Sequence, residues 1–219
     1  MAEILFDMSD RETKNMPPDT RLVFDEEKHL YLYDGHIFPS VTEICAPLQS
    51  FDDVSPAVLQ QAQRRGTQVH EYTQLIDYGV TAEELEVEPE LAGYVLAYMR
   101  FLRDYKPEWT MIEQPLVSTA ERYAGTLDRF GKIDGKHWLV DLKTTAQPKR
   151  PTLISWACQL VGYGQMLECD IYRFVDLQLK KDGTYRLFDA GETEGKYNFE
   201  AFPLFTQLLQ INRILKGET

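Results

Sequence analysis

Residues 123–144 read YAGTLDRFGKIDGKHWLVDLKT, and the way this stretch turns back on itself decides the fold. Asp134-Gly135 lies between two β-prone runs. An Asp-Gly pair in that setting is the strongest short-range hairpin signal, because a two-residue type I′ turn needs φ > 0 at both central positions. If Ile133 and Lys136 close the turn, stepping outward along the two strands brings Asp128 opposite Asp141. The pair is of the non-hydrogen-bonded kind, with Cα atoms expected about 4.5 Å apart. Lys143, two residues beyond Asp141, shares its face.

Like charges directly opposed across strands destabilise a sheet. One way to bear them is a surface hairpin whose acids are solvated or paired with lysine, as charged faces commonly are. The other is a divalent cation: Mg²⁺ binds through one or two carboxylates together with phosphate oxygens and retained waters. A bulge at Gly131 would break the register and separate the acids.

Outward from the hairpin, residues 109–118 read as a further strand, so that 109–118, 122–133 and 136–144 form an antiparallel meander. Glu113 on the first of these strands is either an accessory acid near the pair or an ordinary edge glutamate. A helix is expected from Ser155 through SWACQLVGYGQML, with Trp156, Leu160 and Leu167 on its apolar face and Gln159 and Tyr163, four apart, flanking it. Residues 171–179 and 184–189 form a second hairpin around Lys181-Asp182-Gly183, and 199–215 form a closing amphipathic helix. The fold class expected is α/β, a mixed central β-sheet with an antiparallel meander flanked by helices.

Upstream, residues 1–20 are polar, carry Pro17-Pro18 and read as an N-terminal arm. Residues 21–219 read as a single domain that opens on a β-hairpin element at 21–48, with strands at 21–24, 29–33 and 36–38. His29 and His36 are placed on its surface. Ser40 caps a short helix to about Pro47, and Ser55-Pro56 opens a longer one to about Tyr78. Within the latter, RGTQVH at 65–70 sets Gly66 and His70 on one face. A glycine inside a helix costs about 1 kcal/mol relative to alanine, which points to a close approach or to tight helix packing. A lone helical histidine is ordinarily structural. The helix at 89–105 carries a core stripe of Leu91, Val95, Tyr98, Met99 and Leu102.

With 43% hydrophobic and 26% charged residues among 219, the chain is a globular domain and not a disordered one. Cys45, Cys158 and Cys169 are odd in number and widely spaced, which fits three buried thiols in a reducing compartment and neither a disulfide framework nor a zinc ribbon. The N-terminal residues lack a basic region followed by a long apolar run, and no stretch approaches the length of a membrane span. A cytoplasmic protein with no membrane partner is expected. The net charge of −12 argues against coating nucleic acid by phosphate neutralisation. It leaves room for a local basic rim, for which Arg64, Arg65, Lys149, Arg150, Lys180 and Lys181 are candidates alongside the alternative of solvated surface.

GTLD at 125–128, DLKT at 141–144, QLVGY at 159–163 and, upstream, RGTQVH ending at His70 resemble, in order and spacing, the motifs of PD-(D/E)xK nucleases, specifically the RecB-type and phage-type exonuclease branch. PSVTEI at 39–44 is similar to an N-terminal element of phage exonuclease-like members, and the resemblance spans roughly residues 22–180. It implies a restriction-endonuclease-like core and Mg²⁺- or Mn²⁺-dependent hydrolysis of DNA. Asp128 and Asp141 would be metal ligands, with the backbone carbonyl of Leu142 and His70 completing the set. Lys143 would activate the attacking water or offset charge at the scissile phosphate, and Gln159 and Tyr163 would border the site and help hold the strand. Thr144, in the DLKT motif, joins Arg64, Arg65, Lys149 and Arg150 as a candidate DNA contact. Glu113 matches only as an accessory.

Leu127 stands where the family has proline. Members with an iron–sulfur cluster use four cysteines, and this chain has three in another arrangement, so no cluster is expected. DNA is the partner implied, with a recombination or single-strand-annealing protein alongside it in phage recombination or DNA repair. Two alternatives stand beside an exonuclease: a structure-specific endonuclease on the same core, and a non-catalytic nucleic-acid-binding or assembly protein that retains the fold.

Overall fold

The computed structural model describes residues 19–25, 28–49, 54–81, 84–148, 150–189 and 197–217, without the side chains of 150–151 and 197–200. The arm expected at 1–20 therefore falls outside the described residues except for Asp19 and Thr20.

Strands β1 (Leu22–Asp25), β2 (Leu30–Tyr33) and β3 (His36–Phe38) make a small antiparallel sheet in that order. Strands β4 (Glu108–Ser118), β5 (Tyr123–Ile133), β6 (Lys136–Lys143), β7 (Arg173–Leu179) and β8 (Tyr185–Asp189) make a five-stranded sheet, also in chain order. Its neighbours are antiparallel except β6 and β7, which are parallel. Parallel neighbours need a long crossover, which α4 (Arg150–Gly164) supplies. The protein is thus mixed α/β, with the antiparallel meander expected from the sequence. A bridge between Ser40 and Ala124, and a 3.0 Å bond from the Ala124 N–H to the Pro39 carbonyl, join the small sheet to β5.

The turn between β5 and β6 is formed as expected, with φ of 50° at Asp134 and 73° at Gly135. Pairing runs without a slip from Ile133 and Lys136 to Arg129 and Val140. The irregularity falls instead on β4, between Trp109 and Met111. Gly131 is where β4 presses closest, since a Cβ there would lie 2.2 Å from the Glu108 carbonyl oxygen.

Helices α1 (Val41–Cys45), α2 (Pro56–Asp77), α3 (Ala92–Tyr105) and α5 (Tyr197–Lys216) complete the layers with α4. The Ser40 hydroxyl accepts the Glu43 N–H at 2.9 Å and Ser55 caps α2 ahead of Pro56, as the sequence indicated. Three starts differ from expectation, α5 by two residues, at Tyr197 in place of 199. Leu91 and Ala92 both donate to the Glu88 carbonyl, so the segment from 89 is a turn and α3 begins only at Ala92. Helix α4 begins five residues before Ser155, because Pro151 fits a first turn where its missing N–H costs nothing. The buried Ser155 hydroxyl instead accepts from Gln49 Nε2 at 2.7 Å.

Helices α1, α4 and α5 bury Ile44, Leu160 and Phe205 against one face of the large sheet, and α2 and α3 bury Val69 and Phe101 against the other. Along β6 the faces alternate, with Leu139 on the first side and Val140 and Leu142 on the second. On β5, Leu127 and Phe130 both reach the first side although three apart, so the alternation slips around Asp128. No helix among the described residues is long and apolar enough to cross a membrane.

Arg129, fully buried, ties the α2 layer to the sheet. Its Nε donates to Asp77 Oδ2 at 2.5 Å, Nη2 to Thr73 Oγ1 at 3.0 Å, and Nη1 to Glu113 Oε1 at 2.8 Å and to the Asp128 carbonyl at 2.7 Å. Tyr98 donates to the same Asp77 oxygen at 2.7 Å. Removing one member of a buried, fully hydrogen-bonded charge set costs about 3–5 kcal/mol, whereas exposed pairs contribute about 0–1 kcal/mol. Arg129→Ala is therefore expected to lower unfolding stability in urea by about 3–5 kcal/mol. Arg64→Ala, which breaks an exposed contact of 3.9 Å to Glu88, should stay within about 0.5 kcal/mol of the parent.

Candidate metal centre

The pair expected of Asp128 and Asp141 falls where the β5–β6 ladder stops, one step beyond Arg129 and Val140. The Asp128 carboxylate itself ends the ladder: its Oδ2 accepts the Leu142 N–H at 2.6 Å, a bond that a backbone carbonyl would otherwise receive. Both aspartates are buried. On the other side, the bulge in β4 sets Ile112 opposite Arg129 and Gln114 opposite Leu127, which leaves Glu113 beside Asp128. Glu113 has φ of 45°. That left-handed conformation is uncommon for a residue other than glycine and costs on the order of 1–3 kcal/mol when the surroundings impose it. The Arg129 guanidinium holds the strained residue's carboxylate in place.

His70 reaches the same point from α2. Its Nδ1 is 3.1 Å from Glu113 Oε1 and 3.6 Å from Asp128 Oδ1. One ligand atom from each of His70, Glu113 and Asp128 lies within 4.8 Å of the others. Two carboxylates and an imidazole so placed could hold a divalent cation. The electrostatics point the same way. Burial and the neighbouring Asp141 charge push the Asp128 carboxyl up to about 7, against the pull of His70. Burial opposes the His70 imidazolium, but the Asp128 charge and the Glu113 hydrogen bond outweigh it and raise its pKa to about 9. Protons on Asp128 and His70 thus offset the crowded acids, and a divalent cation could take their place.

Lys143 carries a second group. Its ammonium contacts Asp141 Oδ2 and donates to Gln159 Oε1 at 2.8 Å, with the Trp156 ring 5.6 Å away. Burial disfavours its charge, yet Asp141, Asp176 and Asp128 together raise its pKa, so it stays protonated. Asp176, buried on β7, stands beside Asp141 in the parallel register. Its Oδ1 has no hydrogen-bond partner, and burial, reinforced by Asp141, lifts its pKa well above the carboxylate range. Tyr163, also buried, touches the strand at Gly125, where a Cβ would come within 2.8 Å of its ring.

His70, Glu113, Asp128 and Tyr163 line one cleft of about 660 Å³ between α2, β5 and the small sheet. Of the ligands that the sequence motifs imply, His70 and Asp128 meet, and Leu142 enters through its N–H. Glu113, expected only as an accessory, is a full member of the cluster. Asp141 lies next to it and is turned onto Lys143. Gly66 lines the cleft with nothing within 4 Å of an added Cβ. The expected close approach or tight packing there is not made by any described residue. His29 and His36 are exposed on the small sheet as expected, but His29 also lines the cleft.

Arg64 and Arg65 lie in a separate cleft of about 250 Å³ with Tyr94 and Lys181, where the Arg65 guanidinium sits 5.8 Å over the Tyr94 ring. Lys180 belongs to the β7–β8 turn, its N–H bonded to the Thr184 carbonyl. Thr144 is half-buried just past β6, Lys149 lies outside the described residues, and of Arg150 only the backbone is described. Cys45 and Cys158 are buried, but Cys169 is exposed in the connection from α4 to β7, which corrects the expectation of three buried thiols. Sequence reasoning passed over Arg129 and Asp176. The one available signal was an acid within the run FVDLQL, apolar apart from Asp176 and Gln178.

No family model matches the chain, and no curated protein matches it. A solved structure described as the crystal structure of SSO0001 aligns at 13% identity over 78% of this chain and 75% of that one, with a TM-score of 0.35. A likeness of that size carries no argument about function.

Cation binding must displace the His70 proton below about pH 9 and the Asp128 proton below about pH 7, so affinity rises with pH. The logarithm of the Mn²⁺ association constant is expected to climb by about two per pH unit below pH 7 and by about one just above it. Calorimetric titration in buffers of different ionisation enthalpy measures the released protons. An affinity that does not vary between about pH 6 and 8 contradicts the assignment of these ligands.

Proposed function

We propose that the protein is a Mg²⁺- or Mn²⁺-dependent deoxyribonuclease of the PD-(D/E)xK type, with a restriction-endonuclease-like core, acting as an exonuclease on DNA ends. The observation that carries this is the juxtaposition of the His70, Glu113 and Asp128 cluster with the Asp141–Lys143–Gln159 chain at one end of the β5–β6 ladder. The order of a meander, a helical crossover and a parallel strand supports the core assignment.

Asp128, Glu113 and His70 would hold the cation, with Asp141 alongside. A bound divalent cation supplies a nucleophile at neutral pH and offsets charge on phosphoryl oxygens. Lys143 keeps its proton in a buried position, so its ammonium can orient the attacking water and stabilise the scissile phosphate. Gln159 holds that ammonium together with Asp141 and acts as a positioning residue. Tyr163 stays protonated, because burial and the Asp141 and Asp128 charges push its pKa well above the usual phenol range. It can therefore donate a hydrogen bond to a strand in the cleft.

Catalysis is favoured over a non-catalytic role by the presence together of Asp128, Asp141 and Lys143, and the left-handed backbone at Glu113 is of a kind that gathers at functional sites. Cytoplasmic recombination or repair, with a single-strand-annealing or other recombination partner, is the setting this activity suits. Asp141→Asn and Lys143→Ala are each expected to cut Mg²⁺-dependent degradation of linear DNA about 100-fold or more, with circular dichroism and melting unchanged in kind. Undiminished activity in both purified variants would overturn the assignment. Covalently closed circular DNA should survive conditions that consume the linear form. Cutting of the circle at the linear rate would instead establish an endonuclease.

A further inference from the structure

The cleft that contains the metal cluster has a second, chemically different wall. Phe24, His29 and Tyr31 of the small sheet line it. The Phe24 and Tyr31 rings stack at 4.5 Å and 23°, and the His29 ring stands edge-on to Phe24 at 5.3 Å and 82°. Tyr31 is buried and serves the core of the small sheet, but Phe24 is half-buried and His29 is exposed, with φ of 52°. The wall is anchored to the metal-bearing strand: the Tyr31 hydroxyl lies 2.8 Å from Thr126 Oγ1, two residues before Asp128.

The α2 side is recessed at Gly66, where an added Cβ would meet nothing within 4 Å. Thr67, Glu71 and Gln74 bring hydrogen-bonding side chains to the same cleft. Among the described residues no lysine or arginine lines it, and the whole chain carries a net charge of −12. The wall therefore does not act by neutralising phosphates, which single and double strands carry alike; what it offers is aromatic faces and hydrogen-bonding groups. In a duplex both faces of an internal base are covered by its neighbours, and even the end pair, with one face free, has its edges occupied by pairing. An unpaired base has a free face for aromatic side chains and a free edge for hydrogen bonds, and stacking of this kind tolerates any base.

We propose that the aromatic wall is a subsite for the base of an unpaired terminal nucleotide, so that the substrate of this site is a single-stranded DNA end. The proposal rests on the nuclease assignment for what happens at the neighbouring phosphate, but binding at the wall does not depend on turnover. The small sheet then serves as the part of the protein that recognises the end, while β5, β6 and α2 carry the chemistry.

The test uses the full chain with Ca²⁺ in place of Mg²⁺ and single-stranded oligonucleotides carrying 2-aminopurine at either end. Quenching of a terminal 2-aminopurine is expected, for one end polarity at least. An oligonucleotide whose last residue at that end is abasic should bind roughly 5- to 100-fold more weakly, the range seen when stacked bases lose their partner. A blunt duplex should bind more weakly than the single strand. In the double variant Phe24→Leu, His29→Ala, the ratio between base-bearing and abasic ends should fall toward one. Equal affinity for abasic and base-bearing ends at both polarities, or preference for the blunt duplex, overturns the subsite. A protein that degrades DNA with Mg²⁺ but shows no such base dependence loses only the subsite. Base-dependent binding without any turnover supports the subsite and removes the nuclease assignment.

Discussion

Four carboxyl groups are gathered at the end of one hairpin, too close for all of them to stay ionised without protons, basic side chains or a cation between them. Glu113, Asp128, Asp141 and Asp176 come from four adjacent strands, and the last three are buried. Three cationic groups answer them, each in a different way. Arg129 lies beneath Glu113 with every contact inside the protein. Lys143 is committed to Asp141 and Gln159. His70 bridges Glu113 and Asp128 from the cleft side, and its pKa of about 9 makes it the one of the three from which a cation can most readily displace the proton.

The architecture follows from holding these groups together. The β5–β6 turn sets the register that delivers Asp128, Asp141 and Lys143, and the crossover through α4 brings Gln159 and Tyr163 back over the same strands. Helix α2 contributes His70, Thr73 and Asp77 along one side, so the contacts that dock the helix on Arg129 also aim His70 at the cluster. Stability and site geometry therefore share the same ion network. The strained backbone at Glu113 is carried by that network, as is common where a functional group must be held away from its relaxed conformation.

Much of this was legible in the sequence because it depends on local chemistry. Asp134-Gly135 specifies its turn, Ser40 and Ser55-Pro56 specify helix starts, and the register of β5 on β6 follows from the turn. What could not be read depends on distant partners or on a single extra residue. The placement of Glu113 turns on the bulge between Trp109 and Met111, because a one-residue slip changes which residue faces Asp128. The bond from Leu142 to the Asp128 side chain replaces a ladder bond, and side-chain competition of that kind leaves no periodic trace. Arg129 pairs with a residue 52 positions away, so its burial shows only when α2 is seen on the sheet. Gly66 was legible as an anomaly but not in its meaning, since it lines the cleft and no described residue packs on it.

The central claim is that the crowded acids and His70 form one divalent-cation site at the end of the β5–β6 ladder. The most direct measurement is a crystal structure with Mn²⁺ soaked in near neutral pH, read by anomalous difference density. The expected result is a peak coordinated by Asp128 and Glu113 together with His70, with Asp141 close enough to complete the shell or to hold its water. Density elsewhere on the protein, or none at this point with Mn²⁺ at millimolar concentration, would contradict it.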